Sequence, residues 1–209
     1  MVERTQLREA RPVYPFSAVV GQEEAKTVLI INAIDPTMGG ALISGPKGTG
    51  KSLLVNSFSR VLPDVEQMSG CPFHCSPSDP TNMCESCKTR FFDGEAPPVE
   101  RTPMRLVQVP LSVTEDMLVG SIDLDKAVTM GTKALDKGLL AEANQSILYI
   151  DEVNLLPDHI TDVILDVAAS GWNIVERESI SVGHPSRFIL IGTMNTEEGE
   201  LRLQLLDRF

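Results

Sequence analysis

The chain has 209 residues, enough for one well-buried α/β domain with an insertion. Its 29 acidic and 18 basic residues give a net charge of −11, which argues against a broad nucleic-acid-binding face. No apolar run approaches the ~20 residues that a membrane span requires. Residues 1–14 are predicted to be a polar leader and lack the apolar middle of a secretory signal, so we expect a cytoplasmic protein without membrane or nucleic-acid partners.

The first half of the chain shows helix and strand patterns followed by a less regular region. Helical spacing of apolar residues predicts a helix within 19–34, and the apolar run 41–44 predicts a buried strand. A second helix is predicted to begin at Lys51 and to end near Pro63. Residues from about 64 to 104 are rich in Pro, Ser, Asp and Cys, which predicts an irregular insertion.

The second half of the chain returns to regular alternation. The short apolar runs 105–109, 147–150 and 187–192 predict strands, the second of them buried on both faces. Apolar residues at helical spacing within 160–167 predict a helix, and 173–182 is predicted to form a hairpin. Strands that alternate with helices indicate βαβ units, so we predict an α/β fold with a parallel sheet and helices on both faces.

The strongest motif is GPKGTGKS at 45–52, a full match to G-x-x-x-x-G-K-[ST] between a predicted strand and a predicted helix. Glycines let the backbone wrap around phosphates and turn its N–H groups inward. Lys51 is predicted to reach the β- and γ-phosphates, and the Ser52 hydroxyl to bind Mg²⁺. The alternative is an ordinary glycine-rich turn. The predicted nucleotide-binding residues of this loop are Gly45, Pro46, Lys47, Gly48, Thr49, Gly50, Lys51, Ser52 and Leu53.

Two carboxylates follow the buried strand at 147–150, at the end where ligands gather in open parallel sheets. We predict that Asp151 holds the Mg²⁺ shell and that Glu152 polarises a water for attack on the γ-phosphate. An adjacent Asp-Glu pair with this division of roles indicates hydrolysis of ATP rather than transfer to a substrate. The alternative is a charged pair at a strand exit.

Two further polar residues are candidates for the catalytic site. The strand near 188–194 is followed by Asn195, which would lie beside Asp151 if the two strands are neighbours, and could orient the attacking water. A turn-forming asparagine is the alternative. Arg208 is a candidate arginine finger that reaches the γ-phosphate of a neighbouring subunit, or else a surface arginine paired with Asp207.

All four cysteines lie in one short stretch, as Cys-x3-Cys and Cys-x2-Cys with eight residues between the pairs. Thiols of a cytosolic protein are usually reduced, so we interpret them as ligands before disulfides. A structural Zn²⁺, a reversible thiol–disulfide switch and plain reduced cysteines all remain open, and His74 could replace one ligand. The candidate Zn²⁺ ligands are Cys71, Cys75, Cys84 and Cys87.

Together these segments resemble the I-type ATPase subunit of magnesium chelatase, an AAA+ protein of the helix-2-insert clade. The resemblance extends over nearly the whole chain, and the Walker motifs are generic to a superfamily. Its more particular phrases are VVGQEEAK (19–26), GSIDLDKA (120–127), GLLAEANQSILYIDEVNLL (138–156) and GTMN (192–195). It implies an AAA+ core over 15–209 with the P-loop strand central in the sheet, a Cys-containing insertion at about 64–104 and a helix-2-type insertion at about 115–135.

The resemblance also implies roles and partners. It places Val20 and Gly21 against the adenine, Asn195 as sensor 1 and Arg208 as the trans-acting arginine finger. ATP and Mg²⁺ would lie between subunits of a ring, expected to be hexameric. With a von Willebrand-type D subunit, this ring would drive a large porphyrin-binding subunit that inserts Mg²⁺ into protoporphyrin IX. The alternatives are a MoxR-type chaperone, a cobaltochelatase-type ATPase, a nucleic-acid motor and a non-catalytic fragment that binds partners.

The sequence departs from the family pattern in three places. Thr196 and Leu203 stand where prolines are expected. The family continues beyond the position of Phe209 into a last core strand and an all-α lid. From the resemblance we therefore expect a truncated core that hydrolyses ATP weakly when alone.

Overall fold

The computed structural model describes residues 14–95, 98–122, 135–177, 180–199 and 209. The α-helices within these ranges are α1 (Glu23–Ile34), α2 (Lys51–Phe58), α3 (Glu85–Phe92), α4 (Glu115–Val119), α5 (Leu139–Glu142) and α6 (Asp158–Ser170). The strands are β1 (Ala41–Ser44), β2 (Val65–Met68), β3 (Val99–Thr102), β4 (Leu106–Val109), β5 (Gly120–Ile122), β6 (Leu135–Lys137), β7 (Ser146–Ile150), β8 (Trp172–Arg177), β9 (Ile180–Pro185) and β10 (Phe188–Met194). Within the described ranges, no helix has the length and apolarity needed to cross a membrane.

The centre of the fold is a four-stranded parallel sheet in the order β1–β10–β7–β4. The predicted α/β architecture with a parallel sheet is confirmed. Every residue of β7 and β10 is buried, because both strands have neighbours on each side and helices over each face. All four strands point the same way, so their carboxyl ends form one edge of the sheet.

The position of the P-loop strand differs from the expectation. Among the described residues β1 pairs with β10 alone, so it forms an edge of this sheet rather than its centre. The two inner strands are β10 and β7. The position of a strand depends on which neighbours pair with it, and this is not encoded in the strand's own residues.

Alternate residues of β7 face two separate cores. Ile147 and Tyr149 belong to a cluster that includes Leu54 of α2 and Leu29 of α1. Leu148 and Ile150 belong to the other cluster, where the α6 residues Ile160 and Ile164 pack. This alternation is the two-residue period of a strand, and it confirms that helices cover both faces.

The cysteine-containing region is more regular than predicted. Its strands β2 and β3 form an antiparallel pair, with Val65 opposite Thr102, and α3 lies between them in the chain. The prediction of an irregular segment was wrong because the small core here consists mainly of sulfur-containing side chains rather than an apolar repeat. We call residues 65–102, apart from 96 and 97, the cysteine knob.

The remaining elements flank the main sheet. The predicted hairpin is confirmed as the antiparallel pair β8–β9, with Val175 opposite Val182. The predicted helix-2-type insertion includes α4, β5 and the start of β6, and β5 pairs antiparallel with β6. Residues 123–134 lie outside the described part of the chain, so the insertion stays a prediction.

Candidate nucleotide-binding site

The loop between β1 and α2 has the backbone shape of a phosphate cradle. Gly48 and Gly50 both have a φ of +82°, which residues with a side chain rarely adopt. Gly50 is also the N-cap of α2, so the unpaired N–H groups of the first helical turn face the loop. These donors and the positive end of the helix dipole favour an anion here.

Lys51, the first residue of α2, folds its side chain back over this loop. Its Nζ donates to the carbonyl oxygen of Gly45 at 2.6 Å and to that of Pro46 at 2.8 Å. Both acceptors are neutral carbonyl oxygens, so these two bonds do not themselves neutralise the ammonium charge. Phosphate oxygens form stronger, charge-assisted hydrogen bonds with an ammonium group than neutral carbonyls do.

Asp151, directly after β7, accepts hydrogen bonds from three hydroxyl groups. Tyr149 Oη donates to its Oδ1 at 2.8 Å, and Thr193 Oγ1 donates to the same oxygen at 2.6 Å. Ser52 Oγ lies 3.2 and 3.4 Å from the two carboxylate oxygens, although 99 residues separate it from Asp151 in the chain. Magnesium prefers oxygen ligands of this kind, so the donor set of Ser52 and Asp151 fits the ion.

Tyr149 and Thr193 are site residues that the sequence reasoning missed. Tyr149 precedes Asp151 by two positions, and residues at this spacing in a strand lie on the same face. The contact between them could therefore have been predicted from the sequence. Burial and, to a lesser degree, the Asp151 charge raise the pKa of Tyr149 to about 12. Its phenol therefore keeps its proton and can donate a hydrogen bond to the carboxylate. The contact of Thr193 with Asp151 can be inferred only once β10 is known to pair with β7.

Glu152 occupies a backbone conformation that is unusual for a residue with a side chain. Its φ of 60° and ψ of 58° lie in the left-handed region, at a cost of about 1–2 kcal/mol. The Glu152 N–H donates to Thr193 Oγ1 at 3.3 Å, which helps to hold the turn. Strained backbone of this kind concentrates at functional sites, where the surrounding structure maintains it.

Asn195 has features of both interpretations made from the sequence. It directly follows β10, is 4% exposed and lines the same cavity as Asp151 and Glu152. Its Oδ1 also accepts a hydrogen bond from the Glu197 N–H at 3.2 Å, as in an asparagine turn. The amide nitrogen is the donor of this side chain and is the group that could bond to a phosphate oxygen or orient a water.

These groups surround one cavity of about 320 Å³ at the carboxyl edge of the sheet. Its walls are P-loop residues 47–53, Asp151, Glu152, Thr193 and Asn195. The volume lies within the range of small-molecule sites. The structure thus brings together the predicted P-loop, both predicted carboxylates and the predicted asparagine.

The segment before α1 contacts the P-loop through Gln22. The side-chain Nε2 of Gln22 donates to the Thr49 carbonyl, while its Oε1 is buried and has no partner in the described structure. The neighbouring Val20 is 93% exposed, and Gly21 has a φ of +75°. Gln22 therefore connects the segment of Val20 and Gly21 to the P-loop.

Two family profiles match the chain. Residues 87–209 match the "AAA domain (dynein-related subfamily)", and residues 15–89 match "Magnesium chelatase, subunit ChlI". The chain belongs to the AAA domain family.

The relatives of this AAA domain carry magnesium chelatase names. The chain is 55% identical over 197 residues to the magnesium-chelatase subunit ChlI homolog of Methanocaldococcus jannaschii, covering 94% of this chain and 53% of that protein. It is 53% identical over 208 residues to the ChlI subunit of Chlorella vulgaris, covering 100% of this chain and 59% of that protein. The chain therefore spans about half the length of the curated relatives it matches.

A solved structure agrees with these relatives. A chain in a structure of the complex between the BchI and BchD subunits of magnesium chelatase, built on a cryo-EM reconstruction, superposes with a TM-score of 0.79. The two chains are 48% identical over 95% of this chain and 60% of that one. The predicted resemblance to the I-type ATPase subunit and the predicted P-loop AAA+ fold are confirmed.

Other predicted residues of the AAA domain lie partly beyond the described ranges. Arg208 and Leu203 are outside them, so the arginine finger stays a prediction. Thr196 is exposed in the turn after β10. The aromatic ring of Phe209 packs against the core on the α6 side of the sheet.

The four cysteines lie outside the nucleotide cavity, in the cysteine knob of the AAA domain. All four are buried, and their sulfur atoms lie within 4.8 Å of one another. Hydrogen bonds from Cys75 and Cys84 lower the pKa of Cys71, so one sulfur of the group is favoured as a thiolate. His74 lies outside this group, and its Nδ1 is instead 3.0 Å from Gln67 Oε1.

Proposed function

We propose that this AAA domain binds ATP with Mg²⁺ and hydrolyses it as the motor of a metal chelatase. The observation that carries the proposal is the contact between Ser52 and Asp151, which joins the P-loop to the acidic strand end. Lys51 binds the β- and γ-phosphates, and Ser52 and Asp151 hold Mg²⁺. Held by these two residues, Mg²⁺ would neutralise the negative charge that develops during phosphoryl transfer.

The remaining residues complete the proposed cycle. Glu152 lines the cavity next to Asp151 and acts as the general base that accepts a proton from the attacking water. The Asn195 amide nitrogen orients that water. Val20 and Gly21 contact the adenine ring. The hydrogen bond from the adjacent Gln22 to the Thr49 carbonyl, which connects this segment to the P-loop, supports the assignment.

The proposed working form is a ring, expected to be hexameric, with the nucleotide between subunits. Arg208 then reaches the γ-phosphate of the neighbouring subunit. Several apolar side chains of α1 support an assembly role, because each is at least 44% exposed although the helix also contributes to the core. They are Val28, Ile30, Ile31 and Ile34.

The proposed partners follow from the resemblance to the chelatase ATPase subunit rather than from residues of this chain. They are a von Willebrand-type D subunit and a large porphyrin-binding subunit, which inserts Mg²⁺ into protoporphyrin IX in the cytoplasm. The similarity to a chain from the BchI–BchD complex and to the ChlI proteins supports this choice. The Mg²⁺ ion inserted into the porphyrin is a substrate and is distinct from the ion at Ser52.

A pair of variants of the intact protein tests the proposed ATPase. Glu152→Gln should keep binding of a fluorescent ATP analogue but lose turnover, because the P-loop remains while the base is gone. Lys51→Ala should weaken binding itself. Equal loss of binding and turnover in Glu152→Gln would show that Glu152 is structural and would refute its role as the base.

A separate assay tests which reaction the proposed ATPase drives. ATP-dependent Mg²⁺ insertion into protoporphyrin should require this protein together with the D and large subunits. If turnover is normal but only cobalt is inserted into a corrin precursor, the cobaltochelatase alternative is correct. Stimulation of turnover by DNA would instead indicate a nucleic-acid motor, and rescue of an unrelated client protein would indicate a chaperone.

A further inference from the structure

The cysteine knob places four sulfur atoms in the arrangement of a metal centre. The Cys71 and Cys84 sulfurs are 3.9 Å apart, and all four lie within 4.8 Å of one another. Four thiolates bound tetrahedrally at about 2.3 Å from Zn²⁺ lie about 3.8 Å from each other. We propose that Cys71, Cys75, Cys84 and Cys87 bind one structural Zn²⁺.

The geometry favours a single metal ion over a disulfide or an iron–sulfur cluster. A disulfide brings two sulfurs to about 2.05 Å and selects pairs, whereas here four free thiols share one space. A four-iron cluster would hold the thiolates farther apart, because irons and sulfides lie between them. The Cys84 N–H also donates to Cys75 Sγ at 3.2 Å, the kind of contact that orients a ligand and stabilises its negative charge.

The surroundings explain why this part of the chain needs an ion. The four cysteines are at most 8% exposed, and the other fully buried members of their cluster are Met68 and Met83. A unit of about 40 residues rarely supplies enough apolar burial to fold without a disulfide, a metal or another partner. Binding would hold all four cysteines as thiolates and release to solvent the protons of those that are thiols beforehand, so folding of the knob is coupled to zinc.

The knob docks at the amino end of the sheet, away from the nucleotide. The loop from Cys71 to Cys75 makes the contact: Asn144 Nδ2 donates to the carbonyl oxygens of Phe73 at 2.8 Å and His74 at 3.1 Å. Asn144 lies just before β7, whereas Asp151 follows that strand. The ion therefore has a structural role and takes no part in ATP hydrolysis.

Other contacts join this loop and β2 to neighbouring elements. Gln145 Nε2 donates to the His74 carbonyl at 2.7 Å, and Arg105 Nη1 donates to Gln67 Oε1 at 3.2 Å. The Phe73 ring stacks on His184 of β9 with centroids 4.6 Å apart. Because Cys71 and Cys75 bracket Phe73 and His74, an ion bound to both cysteines would hold the docking loop in the shape that these contacts require.

The test begins with the unmodified intact protein, purified under reducing conditions. Plasma mass spectrometry should find about one zinc per chain, and the four thiols should stay unreactive toward a thiol reagent until a chelator is added. After replacement of zinc by Co²⁺, intense d–d absorption should report tetrahedral thiolate ligation. Zinc well below one per chain, one iron in its place, or a mass lower by four hydrogens would each overturn the proposal.

Variants then identify the ligands. Cys75→Ser and Cys84→Ser should each reduce zinc content at least tenfold after dialysis against a chelator. Ser78→Ala, a change at an exposed position between Cys75 and Cys84, should keep one zinc. His74→Asn should also keep it, since asparagine tolerates the His74 φ of 49° and no imidazole ligand is lost. Loss of zinc in His74→Asn, with the fold intact by circular dichroism, would refute the all-cysteine site.

Discussion

Thr193→Val would remove one hydroxyl from the nucleotide cavity while keeping nearly the same side-chain shape. Thr193 is fully buried, and its Oγ1 donates to Asp151 at 2.6 Å and accepts from the Glu152 N–H at 3.3 Å. A hydrogen bond to a charged group contributes about 1.5–3 kcal/mol, so we expect the free energy of unfolding to fall by about 2–3 kcal/mol. Asp151 would also lose a partner that fixes its orientation.

The functional consequence should appear in the Mg²⁺ dependence. Loss of an outer partner of a metal ligand typically costs about 10–100-fold in metal affinity or activity. We expect the Mg²⁺ concentration for half-maximal ATP turnover to rise by about that factor in Thr193→Val. The assay is a Mg²⁺ titration of turnover at saturating ATP, together with denaturant unfolding.

Thr161→Val provides a matched control. Thr161 lies in α6, away from the cavity, and is 1% exposed. Among the described residues, its hydroxyl donates only to the carbonyl oxygen of Pro157, directly before the helix. This variant should leave the Mg²⁺ requirement unchanged. If Thr193→Val is destabilised but needs no more Mg²⁺ than the unmodified protein, then Thr193 does not position Asp151 and our reasoning is wrong.

Three further predictions concern the same fold. Tyr149→Phe should raise the Mg²⁺ requirement less than Thr193→Val, because Tyr149 makes the longer bond to Asp151 (2.8 Å against 2.6 Å) and only Thr193 of the two also accepts from the Glu152 N–H. An equal or larger increase in the Mg²⁺ titration would contradict this. Gly50→Ala should lower the free energy of unfolding by about 1–2 kcal/mol, since its φ is +82°, whereas Gly45→Ala should cost less in the same denaturant experiment. Burial lowers the pKa of His184, so the free energy of unfolding should decrease as the pH falls below 6.5. His184→Asn should reduce this decrease, measured by denaturant unfolding from pH 8 to 5.

The sign of the His184 effect follows from its contacts. Its Nδ1 lies 3.0 Å from the Pro185 carbonyl and its Nε2 lies 2.9 Å from Asn173 Nδ2, so the neutral ring satisfies both neighbours with one proton. Below the ordinary pKa of 6.5 the unfolded chain gains a proton that the folded chain does not accept. The stabilisation is therefore complete above that pH, and it is lost progressively until the pH reaches the lowered pKa of the folded state.

Much of this protein was determined by local sequence alone. The P-loop residues 45–52, the buried strand before Asp151 and the α6 pattern are all signals carried within a few consecutive residues. Their physical basis is short range: glycines permit a left-handed backbone, and apolar spacing records which side of an element meets a core. Strand alternation with helices was also enough to predict the parallel sheet, and hence the shared edge of Asp151 and Asn195.

Only the tertiary structure decided which groups meet. The hydroxyls of Ser52, Tyr149 and Thr193 converge on Asp151 because β1, β10 and β7 lie side by side, and this order is absent from any single segment. For the same reason the P-loop strand proved to be an edge among the described strands. The sequence showed the four cysteines close together in the chain. It did not show that their sulfur atoms converge or that the cysteine knob packs at the amino end of the sheet. Both depend on how distant segments pack, and local spacing carries no record of that packing.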